Sequence, residues 1–259
     1  MKTLVTGWSG QLGRQLLSLL STDQKPLVLA GRTSPGALPH NQTYLKFDML
    51  DHRSVPDLTG VDVVYHLASR TPNFSREADV AGTRQLLKAA AVSDVQHFVY
   101  VSIVGIDKVP LKYYKIKLET ENLVREGGIP FTILRATQFH PFFTWLISKW
   151  HKSVLPIILR DALFQPIAIE SVAKALARMG QATPQNKTVE MGGPHVISLG
   201  EAMNFWMEIK KQRRFVLSLP SGLIGRIGRE LRDGSLTTSS ADSDSQSWKD
   251  WVTTNHMRF

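Results

Sequence analysis

The 259-residue chain contains no cysteine. Disulfides, thiolate zinc sites and cysteine nucleophiles are therefore excluded, and a reducing compartment is permitted. Long apolar runs are also missing, since no window reaches the roughly 18 uninterrupted apolar residues that a spanning helix needs. The nearest, 140–159, is interrupted by Lys149, His151, Lys152 and two prolines. It predicts a pocket wall or core helix, with a membrane-surface contact as the sharper alternative. The start, MKTLVTG, lacks the apolar region and cleavage site of a secretory leader, so a cytoplasmic protein is expected. Acidic residues are the scarcer charge: 22 Asp and Glu against 31 Lys and Arg give +9. That excess favours anionic partners such as phosphates, nucleic acid or acidic lipid. Much of it lies in KKQRR (210–214) and in Arg226, Arg229 and Arg232, a run that reads as a solvated face, so no nucleic-acid partner is expected. His66 has no second histidine or carboxylate at ligand spacing, and no metal is predicted.

Hydrophobic residues make up 42% and charged residues 20%, a composition that folds. Short β-branched runs at 3–5, 26–30, 43–47, 61–68, 97–102 and 131–135 alternate with helical spacing at 11–21, 75–92 and 114–126. This is the rhythm of βα units on a parallel sheet covered by helices on both faces. The expectation is an α/β fold, a Rossmann-like doubly wound parallel sheet with helical C-terminal substrate-side elements. A single domain over 1–259 is expected: a dinucleotide-binding core at 1–135, substrate-side elements at 136–232, and a loop and tail at 233–259. The Ser-, Thr- and Asp-rich stretch 234–247 predicts a mobile loop or linker, and the tryptophans of WKDWVTTNHMRF predict docking of the tail.

The first strand runs into Gly7-Trp8-Ser9-Gly10-Gln11-Leu12-Gly13 and then an apolar helix. Gly7 permits the tight turn, Gly10 lets backbone approach a pyrophosphate, and Gly13 lets helix and strand pack closely. The helix start offers N–H groups and a positive dipole end to phosphates, so dinucleotide binding is predicted. The second strand ends in Gly31-Arg32, where an NAD site usually has an acidic residue for the ribose hydroxyl. Arginine suits a 2′-phosphate, so NADP(H) is favoured over NAD(H). Asp48 ends the third strand within reach of an adenine amino group, and Leu67, Ala68 and Ser69 end the fourth beside ribose and pyrophosphate. His66 reads as a satisfied strand residue.

Strand five ends at Ser102, and Tyr113-Tyr114-Lys115-Ile116-Lys117 opens the next helix. Four-residue spacing puts Tyr113 and Lys117 on one face, whereas Tyr114 pairs with Leu118. A nearby ammonium lowers a tyrosine pKa, and Ser102 can hydrogen-bond a substrate oxygen, so the three together suit proton donation to a carbonyl as hydride arrives. The alternative is a salt-bridged helix surface pairing Lys117 with Glu121 and Lys115 with Glu119, each pair contributing only about 0.2–0.5 kcal/mol. An aromatic group, Phe139, Phe142, Phe143, Trp145 and Trp150, fits a pocket or a core equally well. Phe142 and Trp145, three apart, are the stronger pocket candidates.

On VTGxxGxxG, HFVYVSIVGID, YYKIKLETENLVREGGIPFTILRATQFHPF, FQPIAIESVA and GGP, the chain resembles the atypical, NmrA-like, NAD(P)H-binding branch of the short-chain dehydrogenases/reductases over about residues 1–215. The resemblance implies a Rossmann fold, NADP(H) at the glycine turn and a Ser102, Tyr113, Lys117 constellation. It further implies that Lys117 contacts the nicotinamide ribose and that 134–139 line the nicotinamide and substrate region. The TGxxGxxG form differs from the GxxxGxG of the larger branch, and that branch's fourth catalytic asparagine has no evident counterpart. Such proteins include quinone, azo-dye and triphenylmethane reductases, and also regulators that bind the dinucleotide without turnover. The expected function is hydride transfer from NADP(H) to a small apolar carbonyl, quinone or similar substrate, with Tyr113 as proton donor. The alternatives are a redox sensor whose occupancy sets affinity for a protein partner, and a membrane-associated electron-transfer accessory protein.

Overall fold

A computed structural model of the chain describes residues 1–23, 25–51, 55–69, 75–212 and 214–258. In chain order its elements are β1 (Thr3–Thr6), α1 (Gln11–Leu20), β2 (Leu27–Gly31), β3 (Gln42–Lys46), β4 (Val63–His66), a π-helical segment (Glu77–Gly82) leading into α2 (Thr83–Val92), β5 (His97–Ile103), α3 (Lys112–Glu126) and β6 (Phe131–Ala136). There follow α4 (His140–His151), β7 (Ile157–Leu159), β8 (Leu163–Phe164), α5 (Ile169–Gln181), β9 (Lys187–Met191), β10 (Ile197–Ser198), α6 (Leu199–Ile209), β11 (Leu217–Leu219), α7 (Gly225–Arg232) and α8 (Trp248–Asn255).

Seven strands form one sheet in the order β3-β2-β1-β4-β5-β6-β9. Neighbours from β3 through β5 pair in parallel. The winding runs outward from β1 to β3, then returns to the other side of β1 with β4. The carboxyl ends of β1 and β4 therefore flank a topological switch point, where open parallel sheets receive ligands. Strands buried on both faces favour apolar residues on both, which is why β2, Leu-Val-Leu-Ala-Gly, reads as a continuous run rather than an alternation.

The chain divides into two compact units. The first comprises Met1–Ser102, Leu111–Arg135 and Val172–Val189. Its core joins Leu4, Val28, Val64 and Phe98 of the sheet to Leu86, Ala90 and Val124 of α2 and α3. Most of α5 belongs here despite its late position in sequence, and Gly180 leaves room for the Tyr65 side chain of β4, which a Cβ would strike.

The second unit comprises Ile103–Pro110, Ala136–Ser171 and Glu190–Phe259. Phe143 of α4 packs against Phe164 at 5.1 Å and edge-on to Trp248 at 5.0 Å, and Trp248 Nε1 donates to Thr144 Oγ1 at 2.8 Å. Trp251 lies 5.8 Å from the His140 ring, so both tryptophans of the tail dock.

Two expectations change. The helix expected over 75–92 begins as a π-helical segment, in which Gly82 sits against Met49 and the Thr83 hydroxyl bonds back to the Asp79 carbonyl at 2.5 Å. The polar stretch 234–247, expected to be mobile, is tied down. Thr238 N donates to Gln165 Oε1, Gln138 Nε2 donates to the Leu236 carbonyl, and Asp242 N donates to the Gly192 carbonyl. Buried amides can satisfy a polar segment's backbone as well as water does, and composition alone cannot report it. In the basic run, Lys210 donates to the His256 carbonyl at 2.7 Å and Arg214 to those of His151 and Ser153, while Arg213 lies outside the described residues. Among the described residues no helix is long and apolar enough to cross a membrane.

Candidate active site

All the groups described first lie in the first unit. Gly7 ends β1 with φ +67, and a Cβ there would come within 2.7 Å of Ala68 N. The glycine turn thus abuts the backbone that leaves β4. A Cβ on Gly13 would fall on the Gly7 carbonyl oxygen and lie within 2.6 Å of Trp8 Cα, so α1 can enter this turn only on a glycine. Gly10 is the N-cap of α1, has no side-chain cap, and its Cα is exposed, leaving the helix start facing outward with no acidic residue in its first turn. Leu12 and Gly13 turn inward while Ser9, Gly10 and Gln11 are exposed. Backbone N–H groups and a positive dipole end at the sheet's switch point fit a pyrophosphate.

A hydrogen-bond relay fixes this geometry. Ala68 N donates to Thr6 Oγ1 at 3.2 Å, Thr6 Oγ1 meets His66 Nδ1 at 2.7 Å, and His66 Nε2 meets Thr83 Oγ1 at 2.8 Å. A neutral imidazole carrying its proton on Nε2 satisfies every link, with the Thr83 hydroxyl passing on to the Asp79 carbonyl. Burial, then the Lys117 charge, pushes the His66 pKa down to about 3, in keeping with the neutral form. His66 is the satisfied strand residue expected of it, and it ties the ends of β1 and β4 to α2.

Trp8 reaches across to β2, its Nε1 lying 3.0 Å from where a Cβ on Gly31 would be. Arg32 follows, exposed and without an ion pair or hydrogen bond among the described residues. Asp48 is half-buried, with Oδ1 accepting from Leu50 N at 3.0 Å. Leu67, Ala68 and Ser69 are half-buried beside the glycine turn.

Tyr113, in the first turn of α3, places its hydroxyl 3.2 Å from Ser69 Oγ, next to that turn. Its pKa is raised: burial dominates, the Ser69 hydrogen bond opposes it, and the Asp79 charge adds to it. The lowering expected from Lys117 is not what sets this oxygen; the phenol holds its proton. Lys117 is buried on the same helix face, and its Nζ donates to the Val101 carbonyl at 2.7 Å and lies 4.1 Å from the Tyr100 ring centroid. Desolvation lowers its pKa to about 8 against the opposing pull of Asp79 and Glu121. Tyr114 is pushed up to about 12, mainly by burial.

Ser102 follows Val101 on β5 and is buried. Its hydroxyl makes no hydrogen bond of normal geometry, yet it lies near enough to Glu121 to help hold that carboxyl down. The structure therefore places Ser102 beside Lys117's acceptor strand and Glu121, and pairs Tyr113 with Ser69 instead. Glu121, fully buried, takes a bidentate pair from Arg135 at 2.9 Å on each oxygen, and Arg125 adds a third bond at 2.5 Å. Burial raises its pKa, but these bonds win and the net direction is down. Glu119 pairs with Arg76 rather than Lys115, which is exposed. The i,i+4 lysine–glutamate ladder is thus not what forms.

Asp79, Glu121 and Arg135 escaped the reading of the sequence as site residues. Their roles come from burial, and EADVAGT carries no signal of it beyond an acid in an apolar run.

In the second unit, Phe139 caps α4, is half-buried and bridges Ile167. Phe143 is fully buried in the core described above, whereas Phe142 and Trp145 are exposed and stack on one another at 6.0 Å. Trp150 is half-buried. Among the described residues no cluster of three metal-ligating side chains occurs.

The sequence profile of the NAD(P)H-binding family matches residues 7–141. Among curated proteins, the photosystem II assembly factor Ycf39 of Cyanophora paradoxa is 28% identical over 165 residues, 60% of this chain and 50% of that protein, so the chain spans half that relative's length. A (4-alkanoyl-5-oxo-2,5-dihydrofuran-3-yl)methyl phosphate reductase of Streptomyces griseus subsp. griseus is 25% identical over 207 residues, 76% of this chain and 70% of the other. Among solved structures, the NADPH-dependent quinone oxidoreductase QOR2 of Escherichia coli complexed with NADPH superposes with a TM-score of 0.77 at 18% identity, over 99% of this chain and 100% of that one. At that identity the likeness shows the fold.

Proposed function

The chain belongs to the NAD(P)H-binding family, and from that premise we propose that it is a member of the NmrA-like branch of the atypical short-chain dehydrogenases/reductases and an NADP(H)-dependent reductase of a small apolar carbonyl or quinone. The observation that carries this reading is the position of the Tyr113 hydroxyl, 3.2 Å from Ser69 and beside the glycine turn. A phenol kept protonated at the nucleotide end is placed to give its proton to a substrate oxygen. Bound NADPH supplies the hydride.

Gly7 to Gly13 and the start of α1 would hold the pyrophosphate, Leu67 to Ser69 the ribose and Asp48 the adenine. Arg32, exposed and without an ion pair or hydrogen bond among the described residues, would take the 2′-phosphate. Lys117, buried on the Tyr113 face of α3 with its Nζ on the Val101 carbonyl, would contact the nicotinamide ribose. Ser102, on β5 beside Glu121, would supply a hydroxyl to the substrate oxygen.

The reading is tested by following NADPH oxidation against a panel of quinones, aldehydes and ketones. Saturable turnover supports it. Tight NADPH binding with no turnover across the panel would replace it with a dinucleotide-dependent regulator.

A further inference from the structure

Two acid-free stretches meet in the second unit. No Asp or Glu occurs between Glu126 and Asp161, or between Glu208 and Glu230. Parallel pairing of β7 with β11 sets Leu217 against Ile157, which carries Phe215 and Leu155, each two residues earlier, to the same end. The Arg214 guanidinium fastens this junction by donating to the His151 and Ser153 carbonyls.

On α4, Phe142, Trp145, Lys149 and Lys152 follow at steps of three and four and so share one face. The core uses the opposite face, through Phe143 and Ile147. The outer face is open: Phe142 is 52% and Trp145 48% exposed, and beyond the helix Val154 is 98% and Phe215 76% exposed. Lys149 Nζ lies 5.0 Å from the Trp145 ring, holding cation and aromatic together. Lys152 and Arg214, at the same end of the helix, are exposed as well. Asp161, the acid that ends the first stretch, is engaged by the Ser221 amide and hydroxyl.

We infer that this face of the second unit docks on an anionic lipid bilayer, with Trp145, Phe142 and Phe215 entering the headgroup boundary and Lys149 and Lys152 meeting lipid phosphates. Aromatic rings favour that boundary, and lysines flanking them add attraction to acidic headgroups. Self-association through the ridge would oppose like charges across a twofold axis. An acidic protein surface would satisfy the cations but would make no demand for the projecting aromatic pair.

The test is flotation of the full chain with vesicles of equimolar phosphatidylglycerol and phosphatidylcholine, with pure phosphatidylcholine vesicles and soluble polyglutamate as comparisons. Two variants accompany it, Phe142→Ala/Trp145→Ala and Lys149→Glu/Lys152→Glu, each shown to be folded by wild-type circular dichroism and thermal melting. Binding to the anionic vesicles, little to the neutral ones, and a loss in both variants is the expected result. Each lysine is worth on the order of five-fold in partition at low salt. No binding of the wild type to anionic vesicles overturns the inference. Binding that survives loss of the two aromatics and is matched on polyglutamate also overturns it, in favour of an acidic protein partner.

Discussion

At the Tyr113 oxygen, burial and the Asp79 charge keep the proton on against the opposing hydrogen bond with Ser69, 3.2 Å away. Four residues on, burial draws the Lys117 pKa down toward neutrality, so the two groups differ in how readily they release a proton. Arg32 is the second residue on which the proposal turns, because it is exposed and spends its charge on no neighbour among the described residues. Arg32→Ala should weaken NADPH by about ten-fold or more, the worth of a charge-assisted hydrogen bond, while leaving NADH nearly unchanged. Titration of both nucleotides by tryptophan fluorescence measures this, and equal losses would contradict it. That Tyr113 and Lys117 lie on one helix, four residues apart, was legible because helical spacing is a local property. Ser69 as the partner of Tyr113 was not, since it depends on how β4 and α3 pack.

Among the elements, the glycine turn with α1 is the most tightly determined. A methyl on Gly13 has backbone on both sides, from Gly7 and Trp8, and no flexible neighbour to yield. Gly13→Ala should therefore shift α1 away from β1 and cost about 1–3 kcal/mol of stability. NADPH affinity should fall with it, which isothermal titration at a temperature well below the melting transition would show. Wild-type affinity in Gly13→Ala would mean that the helix start does not hold the phosphates. The sequence displayed this element openly because three glycines at fixed spacing between a strand and a helix have one steric solution. The π-helical segment and the fastening of 234–247 were not visible. Each is set by contacts with distant residues, Met49 in one case and Gln165, Gln138 and Gly192 in the other.

At the scale of the whole molecule, buried imidazoles set the response to acid. Burial lowers the pKa of His66 to about 3 and of His140 to about 4, and lowers those of His97 and His151. Between those values and the ordinary histidine value of 6.5, the unfolded chain binds more protons than the folded one. Stability therefore rises with pH across that window and is lost as pH falls through it. By pH 5, His66 and His140 should each remove up to about 2 kcal/mol. Glu121, held low, adds a loss of the same sign at lower pH. Urea midpoints at pH 7 and pH 5 check this, and equal midpoints would contradict it. The alternating pattern of strands and helices made the sheet readable from the sequence. It did not reveal that 172–189 returns to the first unit, because a helix's apolar face does not name the sheet it covers. Proton donation is assigned to one hydroxyl, and the rate of NADPH oxidation under single-turnover conditions in wild type and Tyr113→Phe, with a substrate from the quinone and carbonyl panel, measures it. The predicted result is a fall of about 10²–10⁴-fold with NADPH affinity unchanged; an unaltered rate in Tyr113→Phe would contradict proton donation by that residue.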